Sequence, residues 1–237
     1  MARTNPASTG PLACAACPVR DRAACSALSG DERDDLARLG HHRTLKRGET
    51  LFASGDKNFA CATLISGALK IGSFGADGTE RILSLVHPAG FVGEMFAPVA
   101  RHDVVALTDS RLCVFPGHSY EAAVERFPAL GRALLRRSAE DLFASRSMID
   151  LMSRRTAKQR VAGFLLAMAQ AASTSPCHAA GEFELPLSRG EIAGMLGLTI
   201  ETVSRQFTAL ERAGLIERSG ARGIRLADAA RLEGIAV

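Results

Sequence analysis

Three cysteines stand within the stretch CAACPVRDRAAC, which covers residues 14–25, although the whole chain has only six. The thiols of Cys14, Cys17 and Cys25 could form a disulfide, bind a metal or take part in redox chemistry. Each use indicates a different kind of protein. The choice depends on the compartment of the protein and on partners elsewhere in the chain.

The bulk composition favours metal or redox chemistry over a structural disulfide. The chain of 237 residues has no apolar run of the roughly eighteen residues that span a membrane, and its first residues lack the apolar core of a secretory leader. We therefore expect a cytoplasmic protein without membrane contact, and structural disulfides rarely persist in that compartment. The net charge of +4 fits a nucleic-acid partner only weakly, and the absence of tryptophan argues against a base-stacking surface.

The pattern of apolar residues and glycines in the first half of the chain predicts the elements that position these cysteines. Residues 1–30 are small and polar, and predict an extended arm with a loop or short helix around the cysteines. From residue 31 to 126 short apolar runs alternate with glycine, as in LFASG and CATLISGALKIGSFGADG. The tripeptide Ala76-Asp77-Gly78 is typical of a hairpin turn. Many short strands at regular spacing predict a β-sandwich or jelly roll.

A long helix is predicted next, over residues 127–155, where glycine and proline become rare. Leu135, Leu142 and Ile149 recur every seven residues, and Met152 lies three residues after the last of them. Apolar residues at this spacing form the seam of a coiled coil, so we expect the helix to join two copies of the chain. Serines at the other companion positions predict weak pairing. A helix packed only on its own domain is the alternative.

Residues 156–237 predict a small domain built around a pair of short helices, with a further helix over residues 156–172 before them. Ser188 and Glu191 have the spacing of a capping box, which begins the first helix. Gly197 ends that helix, because glycine readily adopts the left-handed conformation of a sharp exit. Thr199 caps the second helix, and the later segment LIERSGARGIRL predicts a two-stranded wing. The order helix, turn, helix and wing is typical of a DNA-binding domain.

The second helix carries polar residues on the side opposite its apolar residues. A carboxylate such as Glu201 accepts from cytosine N4, and a guanidinium such as Arg205 grips guanine at O6 and N7. Residues near the start of such a helix reach base edges, so we predict base contacts from Glu201, Ser204 and Arg205. The remaining predicted DNA contacts are two hydroxyl residues and two phosphate-binding arginines: Thr199, Thr202, Arg189 and Arg222.

The order of these parts resembles the Crp/Fnr superfamily of bacterial transcription regulators over nearly the whole chain. The residues that carry the resemblance are GFVGE at 90–94, the long central helix and LGLTIETVSR at 196–205. The resemblance implies an α+β fold with a β-roll sensor domain like those that bind cyclic nucleotides, a dimerisation helix and a winged helix-turn-helix. It also implies a homodimer that binds double-stranded DNA at an inverted repeat with half-sites similar to TTGAT, and that contacts RNA polymerase.

The cysteines indicate one subgroup of this superfamily, the Fnr-type oxygen sensors related to FnrN and FixK. Such proteins hold a 4Fe–4S cluster with three N-terminal cysteines and a fourth in the β-roll. Cys14, Cys17 and Cys25 match the first three, and Cys113 stands where the fourth is expected. The resemblance therefore implies an activator of low-oxygen genes that binds DNA while the cluster is intact.

Other uses of the same thiols remain open. A structural zinc would take the same thiolates, and the protein would then be a DNA-binding regulator that is constitutive or responds to redox state or nitric oxide. A haem would need one of four single histidines: His41, His42, His87 or His118. Cys61 is expected to be a buried apolar side chain, and Cys177 to have no partner.

Two further activities are disfavoured by the sequence. In this superfamily a cyclic-nucleotide phosphate pocket expects an arginine followed by a small hydroxyl residue, some way after Gly93-Glu94. Here His102 and Asp103 follow Arg101, so we expect no cyclic nucleotide, and we expect Asp103 to repel a phosphate. No nucleophile with a base, phosphate loop or metalloprotease motif occurs in the sequence, so no enzyme is predicted.

Overall fold

The structure is a computed structural model that describes residues 14–57, 60–75, 78–153, 156–173 and 178–237. The chain divides into two compact units, Met1–Phe143 and Ala144–Val237. This division falls inside the long helix, so that helix contributes to both units. None of the described helices has an apolar stretch long enough to cross a membrane.

The first unit contains a β-sandwich, which confirms the predicted β-roll. Its described strands are β1 (His41–Leu45), β2 (Thr50–Phe52), β3 (Ala60–Ser66), β4 (Leu69–Phe74), β5 (Glu80–Val86), β6 (Phe91–Val92), β7 (Asp103–Ala106) and β8 (Ser110–Pro116). They form two antiparallel sheets with the orders β1-β8-β3-β6 and β2-β7-β4-β5. Because side chains alternate across a strand, one face of each sheet points inward. Leu64, Leu69 and Leu112 meet there in a fully buried core.

The predicted hairpin is present between β4 and β5. These strands pair antiparallel, with Ile71 opposite Ser84. Ala76 and Asp77 of the predicted turn lie outside the described residues. Gly78 follows them with a φ of 75°, a left-handed conformation that glycine adopts without strain.

The arm contains two short 3-10 helices, Cys14–Ala16 and Ala24–Ala27, in agreement with the predicted loop or short helix. A further helix that the sequence pattern did not predict, α1 (Gly30–Leu39), follows the arm. Ser29 begins it with a capping box, because its hydroxyl accepts the N–H of Glu32 and the Glu32 carboxylate accepts the N–H of Ser29. The Ser-x-x-Glu spacing was the signal that could have found this helix.

The long helix is α3 (Pro128–Ser153), close to the predicted range 127–155. A separate helix, α2 (Gly117–Arg126), precedes it. The chain breaks between them at Phe127, which has φ −117° and ψ 88°. Pro128 begins α3, since its fixed φ and missing N–H suit the first helical position.

The second unit adds a short helix and a short strand to the predicted elements. Its described elements are α4 (Ala157–Ala172), β9 (Glu182–Glu184), α5 (Arg189–Leu196), α6 (Ile200–Arg212), β10 (Ile216–Ser219), β11 (Gly223–Leu226) and α7 (Ala229–Ala236). β10 and β11 form the predicted wing, and β9 pairs with β11 through Phe183 opposite Ile224. The sequence pattern predicted neither β9, which is too short to show a period, nor α7. The helix α7 packs on α4 and buries Leu232 completely.

Candidate cofactor site and nucleic-acid interface

The four predicted cysteine ligands lie around one cavity of the first unit. Cys14 and Cys17 belong to the first turn of the arm, Cys25 lies in its second 3-10 helix, and Cys113 lies in β8. All four line the same cavity. The fold thus brings together thiols from a terminal arm and from a strand near the end of the sandwich. We call these four residues the cysteine site.

Buried apolar side chains hold the arm against the sheet. Val19 and Ala23 are each 2% exposed, although the charged residues Arg20, Asp21 and Arg22 lie between them. They pack in a small core with Ile65 of β3 and Ala89 of the loop after β5. Apolar contact with the sandwich therefore fixes where the cysteines of the arm lie.

Hydrogen bonds fix the backbone next to the thiols. From α1, Arg33 donates Nε to the backbone oxygen of Cys25 at 3.2 Å and Nη2 to that of Leu28 at 3.0 Å. The backbone N–H of Cys17 donates to the oxygen of Cys14 at 3.3 Å. The helix α1, which the sequence pattern missed, therefore helps to shape the cysteine site.

Burial and mutual repulsion raise the pKa values of the Cys14, Cys25 and Cys113 thiols. Burial raises the pKa of Cys25, and the nearby Cys14 and Cys17 raise it further. Burial also raises the pKa of Cys113 to about 12, with smaller contributions from the other three thiols. Because several thiolates cannot coexist here without a compensating positive charge, ionisation of the site requires a cationic partner such as iron or zinc.

Two further residues of the cavity could not be found from local sequence. His42 lies opposite Cys113 in the β1–β8 ladder, and Thr63 lies opposite Cys113 in the β3–β8 ladder. Both line the cavity. Of the four histidines considered as haem ligands, all of which the structure describes, only His42 lines this cavity.

Cys61 occupies a different environment from the cysteine site. It is 2% exposed in a neighbouring apolar core with Phe115 and Tyr120. Burial raises its pKa to about 12. This environment agrees with the predicted buried apolar role of Cys61. Cys177 lies outside the described residues.

The cysteine site does not form a ready-made site for a single metal ion. Among the described residues, no three histidine, cysteine, aspartate or glutamate side chains are close enough together to hold a single metal ion. A zinc ion needs all its thiolates at about 2.3 Å from one point. The four thiols of the cysteine site therefore do not surround a single point in the described residues.

In the second unit, local sequence builds the helix-turn-helix as predicted. Ser188 and Glu191 form a capping box at the start of α5, and Gly197 ends it with φ 62° and ψ 42°. Thr199 begins α6, because its hydroxyl accepts the N–H of Thr202 at 3.2 Å. The turn between α5 and α6 is thus set by Gly197 and by the cap at Thr199.

The helix α6 has a buried apolar side and an exposed polar side. Its fully buried residues are Val203, Phe207 and Leu210. Glu201, Ser204 and Arg205 are exposed on the other side. The Arg205 guanidinium donates Nη2 to the Thr202 hydroxyl at 3.3 Å. This arrangement presents the predicted base-reading side chains together, near the start of the helix.

Glu201 is ready to act as a hydrogen-bond acceptor. Its own backbone N–H and the Thr199 hydroxyl hydrogen-bond the carboxylate and hold the pKa of Glu201 below its usual value. The positive charge of Arg205 lowers that pKa further. Glu201 is therefore ionised at neutral pH, as a contact to cytosine N4 requires.

Both predicted phosphate-binding arginines also have partners within the domain. The Arg189 guanidinium lies 3.4 Å from the centroid of the Phe207 ring. Burial, followed by the positive charge of Arg218, lowers the pKa of Arg189. Arg222 donates Nη1 to the backbone oxygen of Pro186 at 3.3 Å. Each arginine therefore stabilises the domain in addition to its predicted phosphate contact.

Replacement of Arg189 separates these two roles. We expect Arg189→Lys to lower the free energy of unfolding by about 1 kcal/mol, because an ammonium stacks less well on the Phe207 ring, and to leave the salt dependence of DNA binding unchanged. Arg189→Ala should lower that free energy as well and reduce the slope of log affinity against log salt by about one. Chemical denaturation and binding titrations at several salt concentrations measure both quantities. Unchanged stability in both variants contradicts the stacking role, and an unchanged slope in Arg189→Ala contradicts the phosphate contact.

The predicted seam of α3 is an exposed apolar stripe. Leu135 is 73% exposed and Ile149 67%, and Leu142 and Met152 are exposed too. Phe143 lies beside the stripe and is 72% exposed. The heptad pattern missed Phe143, because it does not share the seven-residue spacing. Apolar residues exposed along one helix are typical of a surface that pairs with another helix.

Comparison with known proteins finds a family match in each of the two units. Residues 42–127 match the cyclic nucleotide-binding domain, and residues 159–235 match the Crp-like helix-turn-helix domain. Transcriptional activator protein FnrL of Cereibacter sphaeroides is 34% identical over 222 residues, which cover 92% of this chain and 90% of FnrL. The chain belongs to the Crp/Fnr family of transcription regulators.

Two other proteins of the Crp/Fnr family are also similar to this chain over most of its length. Nitrogen fixation regulation protein FixK of Bradyrhizobium diazoefficiens is 33% identical over 230 residues, which cover 94% of this chain and 93% of FixK. The solved structure of FixK2 from Bradyrhizobium japonicum aligns with a TM-score of 0.76 at 28% identity, over 84% of this chain and 98% of FixK2. The predicted family and fold are therefore confirmed, and the protein is a DNA-binding regulator rather than an enzyme.

A second cavity of this Crp/Fnr regulator contains the residues that were compared above with a cyclic-nucleotide phosphate pocket. The cavity is lined by Phe52, Glu94, Arg101 and His102, among others. Glu94 accepts the backbone N–H of Arg101 at 3.1 Å, and its carboxylate lies 3.4 Å from His102 Nδ1. Asp103 is outside this lining, and its carboxylate accepts the backbone N–H of Ser54 at 3.1 Å. The expected repulsion of a phosphate by Asp103 and the expected lack of cyclic-nucleotide binding both stay predictions.

Proposed function

We propose that this Crp/Fnr regulator is an oxygen-responsive transcriptional activator that binds DNA while a 4Fe–4S cluster is intact. Cys14, Cys17, Cys25 and Cys113 hold the cluster. The observation that carries the proposal is that three thiols of the arm and one thiol of β8 line a single cavity. Two relatives, the transcriptional activator protein FnrL and the nitrogen fixation regulation protein FixK, support the role of an activator.

The donor set fits an iron–sulfur cluster. Four cysteine thiolates are the usual ligands of a 4Fe–4S cluster. A cluster spreads its irons over several ångströms, so its thiolates need not converge on one point as those of a zinc ion do. The raised pKa of Cys113 means that ligation and loss of the thiol proton occur together. When bound, the cluster supplies a link between arm and strand that oxygen can break.

The residues of the first unit connect the cysteine site with the long helix. Cys25 and Cys113 border an apolar core that also contains Leu130 and Leu134 of α3. When the arm is fixed to β8, this core is complete and α3 is supported along its first turns. When the arm is released, α3 loses part of that packing. The position of the arm therefore biases the orientation of the seam.

The seam and the helix α6 together explain how the signal reaches DNA. Pairing of two copies through Leu135, Leu142, Ile149 and Met152 makes a homodimer whose α6 helices read two half-sites about one helical turn apart, roughly 34 Å. Glu201, Ser204 and Arg205 contact bases in half-sites similar to TTGAT. The serines of the seam keep the pairing weak, so release of the arm is enough to shift it. Transcription of low-oxygen genes in the cytoplasm then follows from contact of the bound dimer with RNA polymerase, without a cyclic nucleotide.

Anaerobic purification followed by admission of air tests this function. We expect a brown protein with about four iron atoms per chain that forms a dimer and binds an inverted TTGAT repeat. Air should bleach the colour, shift the protein toward monomer and weaken DNA binding by about 30-fold, within the range of typical allosteric couplings. Absorbance, iron analysis, sedimentation velocity and fluorescence anisotropy on the same sample provide the measurements.

Two other outcomes replace the proposal with a different one. A colourless protein that contains one zinc ion and binds DNA equally in air is a regulator without an oxygen sensor. A brown protein whose DNA affinity does not change on bleaching carries a cluster that is not coupled to the helix.

A further inference from the structure

The loop between β5 and β6 contacts the cysteine site on one side. Residues 87–90, His-Pro-Ala-Gly, form this loop, which we call the 87–90 loop. Ala89 is 5% exposed and packs in the same small core as Val19 and Ala23 of the arm. Cys17, Cys25 and Cys113 border that core. The loop therefore contacts the arm at the point where three of the four thiols meet it.

The same loop contacts α3 on its other side. A Cβ added at Gly90 would lie 3.4 Å from Nη2 of Arg137 and 2.5 Å from Val86 Cγ1, so the guanidinium of α3 approaches the loop backbone closely. His87 lies largely buried beside the same guanidinium, and burial together with the charge of Arg137 lowers the pKa of His87 to about 4. His87 is therefore neutral and adds no repulsion to Arg137 at neutral pH.

The 87–90 loop is stiff enough to transmit a displacement. Its backbone exchanges two hydrogen bonds with Leu64 of β3, from Ala89 N at 2.8 Å and to Gly90 O at 2.9 Å. A third bond joins the N–H of Gly90 to the oxygen of His87 at 2.8 Å. Ala89 has a φ of 76°, which is strained for a residue with a side chain and persists only where the surroundings hold it. The loop thus moves as one piece rather than bending between its two contacts.

Arg137 connects the loop with the seam of α3. It lies one turn after the buried Leu134, on the side of the helix that faces its own unit. Its guanidinium forms ion pairs with Glu140 at 3.6 Å and Asp141 at 3.5 Å. The exposed Leu135 lies two residues before it, on the same rigid helix. A shift of Arg137 therefore shifts the seam with it.

We propose that the 87–90 loop links the cysteine site to α3. Arg137 is the positioning residue through which a displacement of the arm changes the position of the helix. This assignment rests on the proposed function for its signal, but the mechanical link itself exists with or without a bound cofactor. It adds a contact one turn further along α3 than the shared core at Leu130 and Leu134. Because coupling is reciprocal, a substitution at Arg137 must also change the local stability of the arm.

Hydrogen exchange of the full-length protein without cofactor tests the link directly. We expect Arg137→Met to accelerate exchange in residues 86–92 and also in the arm, residues 17–28, by about fivefold, the lower end of typical couplings. Arg136→Met is the matched control, because Arg136 is exposed on the same helix and the substitution removes the same charge. That control should leave the arm unchanged. Mass spectrometry of peptides from both variants, measured side by side, gives the rates.

A second variant tests the link from the other end. Ala89→Gly relieves the strained φ and removes the methyl group that packs against the arm. We expect exchange in residues 135–143 of α3 to rise by a similar factor of about five, while the rest of the sandwich stays protected. Circular dichroism and the thermal midpoint show whether each variant is folded.

The outcomes separate this inference from the proposed function. If Arg137→Met changes only the loop, or affects the arm no more than Arg136→Met does, the link is overturned. If the link holds in the protein without cofactor but the wild-type seam does not respond to anaerobic loading with iron and sulfide, the proposed function fails and the link stands. If loading protects residues 135–143 in the wild type and equally in Arg137→Met, the cofactor signal does not pass through Arg137, and the assignment of Arg137 as the positioning residue is overturned.

Discussion

Cys113→Ala should remove the iron–sulfur chromophore and lower the anaerobic affinity for an inverted TTGAT repeat by about 30-fold, as expected when a typical allosteric coupling is lost. The thiol of Cys113 is the one ligand that the sandwich itself contributes to the cysteine site. Without it the arm has no fixed point on β8, so three remaining thiols cannot connect the arm with the strand. Iron content, visible absorbance and anisotropy titrations under nitrogen measure the effect.

Cys61→Ala is a closely matched control for that prediction. Cys61 and Cys113 lie in neighbouring strands, and burial raises the pKa of each thiol to about 12. Only Cys113 lines the cavity, so we expect Cys61→Ala to keep the chromophore and the anaerobic DNA affinity. Equal loss in both variants would assign the effect to packing of the sandwich. Retention of colour and oxygen response in Cys113→Ala would show that this residue is not a ligand.

Arg205→Ala should weaken binding to the specific site by roughly 10- to 100-fold, which corresponds to about 1–3 kcal/mol for a bidentate contact to guanine. The guanidinium is exposed near the start of α6 and is supported by the Thr202 hydroxyl at 3.3 Å. Its loss should also relax discrimination at the G·C pair of each TTGAT half-site. Competition titrations with single-base variants of the half-site measure affinity and specificity together.

Arg212→Ala is the matched control, because it removes a positive charge from the same helix but no predicted base contact. Arg212 lies about two turns after Arg205 on the same surface of α6, beyond the residues that reach base edges. We expect it to weaken binding to all DNA sequences alike and to lower the salt slope by about one. If Arg205→Ala also weakens all sequences equally, Arg205 contacts phosphate and not bases.

The helix-turn-helix could be predicted nearly residue by residue, because its determinants are local. The capping box of Ser188 and Glu191, the left-handed Gly197 and the cap at Thr199 each depend on residues within one turn. The stripe on α3 was equally accessible, since a seven-residue spacing of leucine and isoleucine is visible without any long-range contact. The exposed Phe143 was not predicted, because its position does not follow the seven-residue spacing.

The cysteine site could be predicted only in part. The spacing of Cys14, Cys17 and Cys25 is a local feature, but Cys113 entered through a family resemblance and not through any pattern of its own. His42 and Thr63 join the site because strand register places them opposite Cys113. Register depends on how the whole sheet packs, and a short sequence window does not contain that information.

Sequence by itself determined the order of the domains, the caps and turns of the DNA-reading domain and the residue types available for chemistry, because these follow from interactions between near neighbours. Only the tertiary structure decided which distant groups meet. It placed Arg189 on the Phe207 ring, turned Asp103 toward Ser54, and set the 87–90 loop between the arm and Arg137. Each of these contacts depends on the packing of elements far apart in the chain, where burial of apolar surface selects one arrangement from many that local preferences allow.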